Sequence, residues 1–134
     1  MFEDIETELK DYVKECGEKG WDGYFAPPIK QETVDLALKT LNLFREHLQK
    51  SGKEHKIEIE ACPISHGGIT LTLKYCHRWT RKDFEVCFSF ENDIEGIEAI
   101  ALSCIGKIIA EIPEKIITPD ELPTYFDWIL RKQS

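Results

Sequence analysis

The side chains with the widest chemical reach in this chain are its five cysteines and four histidines. Cys62 and His66 form a C-x3-H pair, and Cys76 stands next to His77. Two thiols and two imidazoles are a zinc donor set. The spacing speaks against one site. Cys62 and His66 fall in the connection before an extended segment, and Cys76 and His77 fall after it. About eight strand residues hold the pairs roughly 25 Å apart, whereas zinc ligands lie within about 2.3 Å of the ion. No metal and no cofactor is expected. The odd cysteine count, irregular spacing and lack of a C-x-x-C pair point to reduced, mostly packed thiols.

Catalytic groupings have little support. There is no G-x-S-x-G elbow for a serine nucleophile. Gly106-Lys107 lacks the upstream glycine and the following Ser/Thr of a phosphate loop. Adjacent residues such as Cys76 and His77 rarely point at each other. Glu58 and Glu60 share one side of a strand, where solvent leaves no cause for a raised pKa. No catalytic residue is assigned.

Two segments remain as candidate binding elements. "CHRWTRKD" (76–83) gathers Arg78, Arg81 and Lys82 around Trp79, with His77 adjacent. Arginine beside tryptophan can stack on a base or grip an acidic peptide. The plainer expectation is a solvated hairpin tip whose Trp79 folds back on the sheet edge. "GWDGYFAPPI" (20–29) sets Trp21, Tyr24 and Phe25 among two glycines, two prolines and Asp22. Gly20 and Gly23 can adopt positive φ, and Asp22 can accept backbone N–H bonds in an Asx turn. The favoured reading is a structural clamp that sets the angle between two helices. The alternative is a binding loop with Trp21 or Tyr24 exposed and Asp22 as its polar anchor. Asp22 can also pair with His66 if the loop packs beside the "SHGG" turn, as a lock or as a proton-transfer dyad.

The elements that must position these residues follow from periodicity. Phe2, Ile5, Leu9, Val13 and Cys16 recur at helical spacing over 2–16, opposite an acidic face. Val34, Leu38, Leu41, Phe44 and Leu48, with Ala37, mark a helix over 31–50 that Gly52 ends. The period then drops to two. Ile57, Ile59 and Ala61, then Ile69, Leu71, Leu73 and Tyr75, then Phe84, Val86, Phe88 and Phe90 alternate with outward-facing residues. These are strands over 55–61, 68–76 and 83–90, with the "CPISHGG" and "CHRWTRKD" segments as their connections. The outward set is polar: Glu58, Glu60, Thr70, Thr72, Lys74, Glu85, Cys87 and Ser89. The Ile-rich stretch after residue 94 can be a helix or two strands. Its composition and the turn-like "ENDIEG" before it favour strands over 97–103 and 107–112, ended by Pro113. A cap-like "TPDEL" opens a last helix over 119–131, with Leu122, Phe126, Ile129 and Leu130 on its core face. The expected fold is α+β: one domain, 1–134, a two-layer sandwich of an antiparallel meander on three helices.

A resemblance bears on the same segments. "GWDGYFAPPI", a helix and then "PISHGGITL" resemble a group of small uncharacterised bacterial proteins. Their pattern is close to N-W-D-G-Y-G-A-x-P-I, a helix, and a P-x-x-x-G-G-I-x-L-x-W hairpin. Trp21, Asp22, Gly23, Tyr24, Ala26, Pro28 and Ile29 match the first motif; Pro63, Gly67, Gly68, Ile69 and Leu71 match the second. Gly20, Phe25 and Leu73 depart from it. The resemblance covers about residues 20 to 90. The group has no established activity, so the resemblance implies a bacterial or phage origin and strands after residue 94, and nothing catalytic.

Charge bounds the partners. The chain carries a net charge of -8, which argues against general nucleic-acid binding and admits a basic protein partner. No run reaches the ~20 apolar residues of a membrane span, and the acidic "MFEDIETELK" is unlike a signal peptide, so a cytoplasmic protein is expected. The sequence thus points to a non-enzymatic protein–protein interaction module, of antitoxin, immunity or defence-inhibitor type. It would bind through the acidic face of its helices or the open face of its sheet. Self-association is admissible. The alternative is a small enzyme or ligand-binding domain using Asp22, Tyr24 and His66.

Overall fold

Alternation and helical stripes make different elements from neighbouring stretches of the chain. The computed structural model describes residues 2–15, 28–52, 55–64, 67–77, 79–92 and 95–133. Helices α1 (Phe2–Glu15) and α2 (Gln31–Ser51) come first. Strands β1 (Glu58–Ile64), β2 (Gly68–His77), β3 (Lys82–Glu91), β4 (Ile97–Cys104) and β5 (Ile108–Ile117) follow. A 3₁₀ turn (Pro119–Glu121) leads into α3 (Leu122–Lys132). The strands lie in chain order, β1-β2-β3-β4-β5, every neighbouring pair antiparallel. This is the expected meander, and the stretch after residue 94 forms two strands.

The helices pack on one sheet face, chiefly against β1, β2 and β3. Between the layers lie Leu9, Leu41 and Phe44 from α1 and α2, Ile69, Leu71, Phe88 and Phe90 from the sheet, and Phe126 from α3, all buried. Tyr12, Tyr125 and Trp128 are buried too. Each aromatic body supplies apolar area, which periodicity counted on aliphatics does not register. No helix among the described residues is long and apolar enough to cross a membrane.

Local chemistry sets the joints. Gly52 closes α2 at φ 66°, its N–H donating to the Gln49 carbonyl at 3.3 Å, as a left-handed cap does. Thr118 and Glu121 form a reciprocal capping box before α3, with Pro119 inside it. At Gly68 an added Cβ would sit 2.5 Å from the Phe90 carbonyl oxygen, so β2 can approach β3 there only without a side chain.

Two strands differ from the expected bounds by more than one residue at an end, and both carry a proline. β1 starts later than expected and runs on through Cys62 and Pro63 to Ile64, so Cys62 belongs to a strand and not to a loop. β5 continues past Pro113 to Ile117. Both are edge strands. An edge backbone has sheet partners on one side only, so a missing N–H is tolerated there. The pairing of β4 with β5 shifts register between Ala99 and Ala101 and again between Ala101 and Leu102. These irregularities take up the proline.

The first ten-residue motif lies outside the described residues up to position 27; its last two members do not. Ile29 is buried. The Pro28 carbonyl accepts a hydrogen bond from Asn92 Nδ2 at 2.7 Å. Asn92 Oδ1 accepts from the Lys30 N–H at 3.0 Å and from Thr33 Oγ1 at 2.8 Å. The Asn92 N–H donates to the Gly67 carbonyl at 2.9 Å. One residue after β3 therefore ties the start of α2, through its side chain, to the start of β2, through its backbone.

Candidate functional site

Trp21, Asp22, Tyr24, His66 and Arg78 lie outside the described residues, and so do the Asp22–His66 pairing and the clamp formed by residues 20–27. Trp79 and Arg81 are described. They sit on the tip between β2 and β3, which closes through the Arg81 N–H donating to the His77 carbonyl at 2.9 Å. Arg81 takes φ 54°, a left-handed position that tight turns require. The Thr80 N–H donates to His77 Nδ1 at 3.3 Å. Trp79 does not fold back on the sheet edge: it is 89% exposed. The tip closes on its own backbone, and the indole stands in solvent. At the base of the tip, Trp79, His77 and Cys76 border a hollow of about 580 Å³ with Lys56. A second hollow of about 350 Å³ adjoins it over Lys74, Cys76 and Asp83.

Several ionisable groups of this region are shifted from their ordinary pKa, each for a local cause. Asp83 stands opposite Cys76, and its hydrogen bond and charge push the Cys76 thiol above its ordinary pKa. Burial pushes the Cys87 thiol up as well. Neither is a thiolate near neutral pH, and the thiolate is the nucleophile. Lys74 meets Glu60 at 3.0 Å and Glu85 at 3.6 Å, and the Glu60 hydrogen bond foremost raises its pKa. It therefore stays a cation instead of serving as a base. Cys76 and His77 lie on opposite faces: His77 makes an edge contact with Tyr75, while Cys76 is exposed. Cys62 pairs across from Thr70 and Cys76 across from Asp83, six positions further along β2 from Thr70. That places them roughly 20 Å apart, too far for one ion. Among the described residues no group of three metal-ligating side chains converges.

A different surface stands out on the open sheet face. Over β1, β2 and β3 that face is polar, as the alternation indicates, and it carries the Glu60–Lys74–Glu85 row. Over β4 and β5 it turns apolar. Ile100, Leu102 and Cys104 are half-buried there. Leu102 faces Ala110 and Cys104 faces Ile108 across the β4–β5 pairing. Ile108 is 74% exposed and Ile116 57%. A hollow of about 210 Å³ between Leu102, Cys104 and Ile108 reaches to Asp83. Ile105 is also exposed, and so is Ile109, which pairs with the buried Ser103 and so lies on the other, helix-bearing face. The large exposed aliphatics among the described residues all fall between positions 105 and 116.

Sequence reasoning missed this surface, though a signal was present. In "IEAIALSCIGKIIAEI" both alternating sets are rich in apolar residues. A strand pair of that kind is apolar on both faces, and one helical layer covers only one of them.

No protein-family model, no curated protein and no solved structure matches the chain. The resemblance to the bacterial group therefore stands on the quoted motifs alone.

Proposed function

We propose that this chain is a non-enzymatic protein–protein interaction module that docks through the apolar half of its open sheet face. The observation that carries the reading is the exposure of Ile108 and Ile116 on that face, beside the half-buried Ile100 and Leu102. Scattered exposed apolar residues are ordinary, but a contiguous apolar patch with a polar rim marks an interaction surface. Here the rim is the charged half of the same face, Glu60, Lys74 and Glu85. The raised thiols and the paired Lys74 support binding over catalysis. The net charge of -8 favours a protein over nucleic acid as partner. A cytoplasmic protein of bacterial or phage origin, in an antitoxin, immunity or defence-inhibitor role, fits this size and charge.

The test is retention of partners by the tagged full-length chain in lysate of its native host, beside an Ile108→Glu variant. Ile108 is exposed, so the change leaves the core alone. Stoichiometric retention by the wild type and loss by the variant is the expected result. Equal retention by both, or folded wild-type bait that retains no protein, a second copy of this chain included, would overturn the reading.

A further inference from the structure

The sheet has two free edges, and they are unlike each other. β1 presents Glu58 and Glu60 to solvent and carries Pro63, which are devices that discourage edge pairing. β5 carries Pro113 and two register shifts, one of them at Glu111, between Ala110 opposite Leu102 and Ile112 opposite Ala101. The half before it, Ile108 to Ala110 after the turn residue Lys107, has neither. That half holds Ile108 and Ile109 in solvent. An edge strand also offers a row of N–H and C=O groups to any strand laid beside it. An apolar, unguarded half-edge next to a guarded one calls for a specific occupant.

The charges on this half-edge identify it. Lys107, just before β5, and Glu111, at the register shift, stand two positions to either side of Ile109. A copy of the same segment, laid antiparallel with its two-fold axis at Ile109, sets each Lys107 opposite the other chain's Glu111. It sets Ile108 opposite Ala110 and stacks Ile109 on Ile109. A parallel, in-register copy would set lysine beside lysine and glutamate beside glutamate. A two-fold axis at Pro113 would also match charges, Glu111 against Lys115, but it centres on a residue with no N–H to give. Glu111 and Lys115 each have a partner within their own chain, Lys132 and Glu121, both at 3.5 Å. The Lys107 ammonium makes no ion pair among the described residues, so the Ile109-centred register supplies the one it lacks.

We propose that β5 pairs antiparallel with β5 of a second copy of this chain, with Ile109 on the two-fold axis, joining two five-stranded sheets into one. The inference rests on the interaction reading above and names its partner. Such an interface is isologous: each copy uses the same residues. The join also lines up the two apolar halves of the open faces, Leu102 and Ile108 from each copy, across the axis. Opposed charges at both ends then set the register, as cross-strand pairs do.

The test is sedimentation equilibrium of the full chain in reductant at about 10–200 µM, where interfaces of this modest size associate. Dimer is expected for the wild type. Lys107→Glu and Glu111→Lys should each weaken association about tenfold, since like charges then face each other twice per dimer. The double variant, Lys107→Glu with Glu111→Lys, should recover wild-type association, because the opposed pairs return in reversed sense. A wild type that stays monomeric throughout, or a dimer indifferent to both single changes, overturns the inference. If the chain is monomeric yet retains another protein in an Ile108-dependent way, the second-copy inference falls and the docking reading stands. If it is monomeric and retains nothing in that way, both fall.

Discussion

Asn92 Nδ2 donates to the Pro28 carbonyl at 2.7 Å, although the two residues are 64 positions apart. The same side chain takes two hydrogen bonds at the N-terminal end of α2, from the Lys30 N–H and Thr33 Oγ1. The Lys30 N–H can only donate, so the amide oxygen is the atom that faces it. Lys30 is the N-cap of α2 and supplies no side-chain cap of its own. Asn92 fills that role from across the fold. It also fixes the exit of the "GWDGYFAPPI" segment against the sheet.

Asn92→Ala removes all three side-chain bonds. At roughly 1 kcal/mol net for each, the loss should be about 2–3 kcal/mol. Asn92→Asp keeps both accepted bonds and places a carboxylate at a helix N-terminus, which is favourable. It loses the bond to Pro28 and sets a carboxylate oxygen against that carbonyl, so its stability should fall between those of wild type and Asn92→Ala. Urea unfolding of the three proteins checks the ranking. Equal stability of wild type and Asn92→Ala would show that the tie contributes nothing.

The Cys76 thiol gives a pH-dependent readout of the open face. Asp83 raises its pKa, so at pH 8 less of it is thiolate than of an unperturbed cysteine. Alkylation by iodoacetamide at that pH should be slower than for a reference peptide thiol and should climb as pH rises. Asp83→Asn removes the charge, lowers the pKa and moves the rate profile to lower pH. Peptide-resolved mass spectrometry separates Cys76 from Cys62, Cys87 and Cys104. A profile that Asp83→Asn leaves in place would contradict the assigned cause.

The Tyr125 hydroxyl is buried against Phe88 and finds no hydrogen-bond partner among the described residues. Burial and the nearby Glu121 push its pKa up, so it stays neutral. An unsatisfied buried hydroxyl costs on the order of 1–3 kcal/mol. Tyr125→Phe keeps the ring and removes that group, and it should raise stability by about 1 kcal/mol. Thermal unfolding measures it. A lower midpoint for the phenylalanine variant would show that the hydroxyl is satisfied.

Much of the fold was legible because its alternation is clean. Ile69, Leu71, Leu73 and Tyr75 point inward and Thr70, Thr72 and Lys74 outward, as period two requires. The "TPDEL" cap and the Gly52 stop were equally local. Strand ends are less legible than strand order. Proline normally interrupts a strand, and only the one-sided pairing of the edge strands β1 and β5 lets Pro63 and Pro113 lie inside them. The exposure of Trp79 depends on the closure of a tip by backbone bonds between His77 and Arg81, which residue types alone do not specify. The apolar face was hidden for a related reason. Ile108 and Ile116 look like core residues until the strand pairing puts them on the face that no helix covers.

The central claim is that the first half of β5 is a docking edge, and amide hydrogen exchange tests it most directly. Peptides covering β5 and β1 would be followed at about 1 µM and about 200 µM protein, concentrations that bracket a micromolar association. The account predicts that amides from Lys107 to Glu111 exchange more slowly at the higher concentration, while those of β1 are unchanged. Exchange in β5 that is fast and independent of concentration would contradict it.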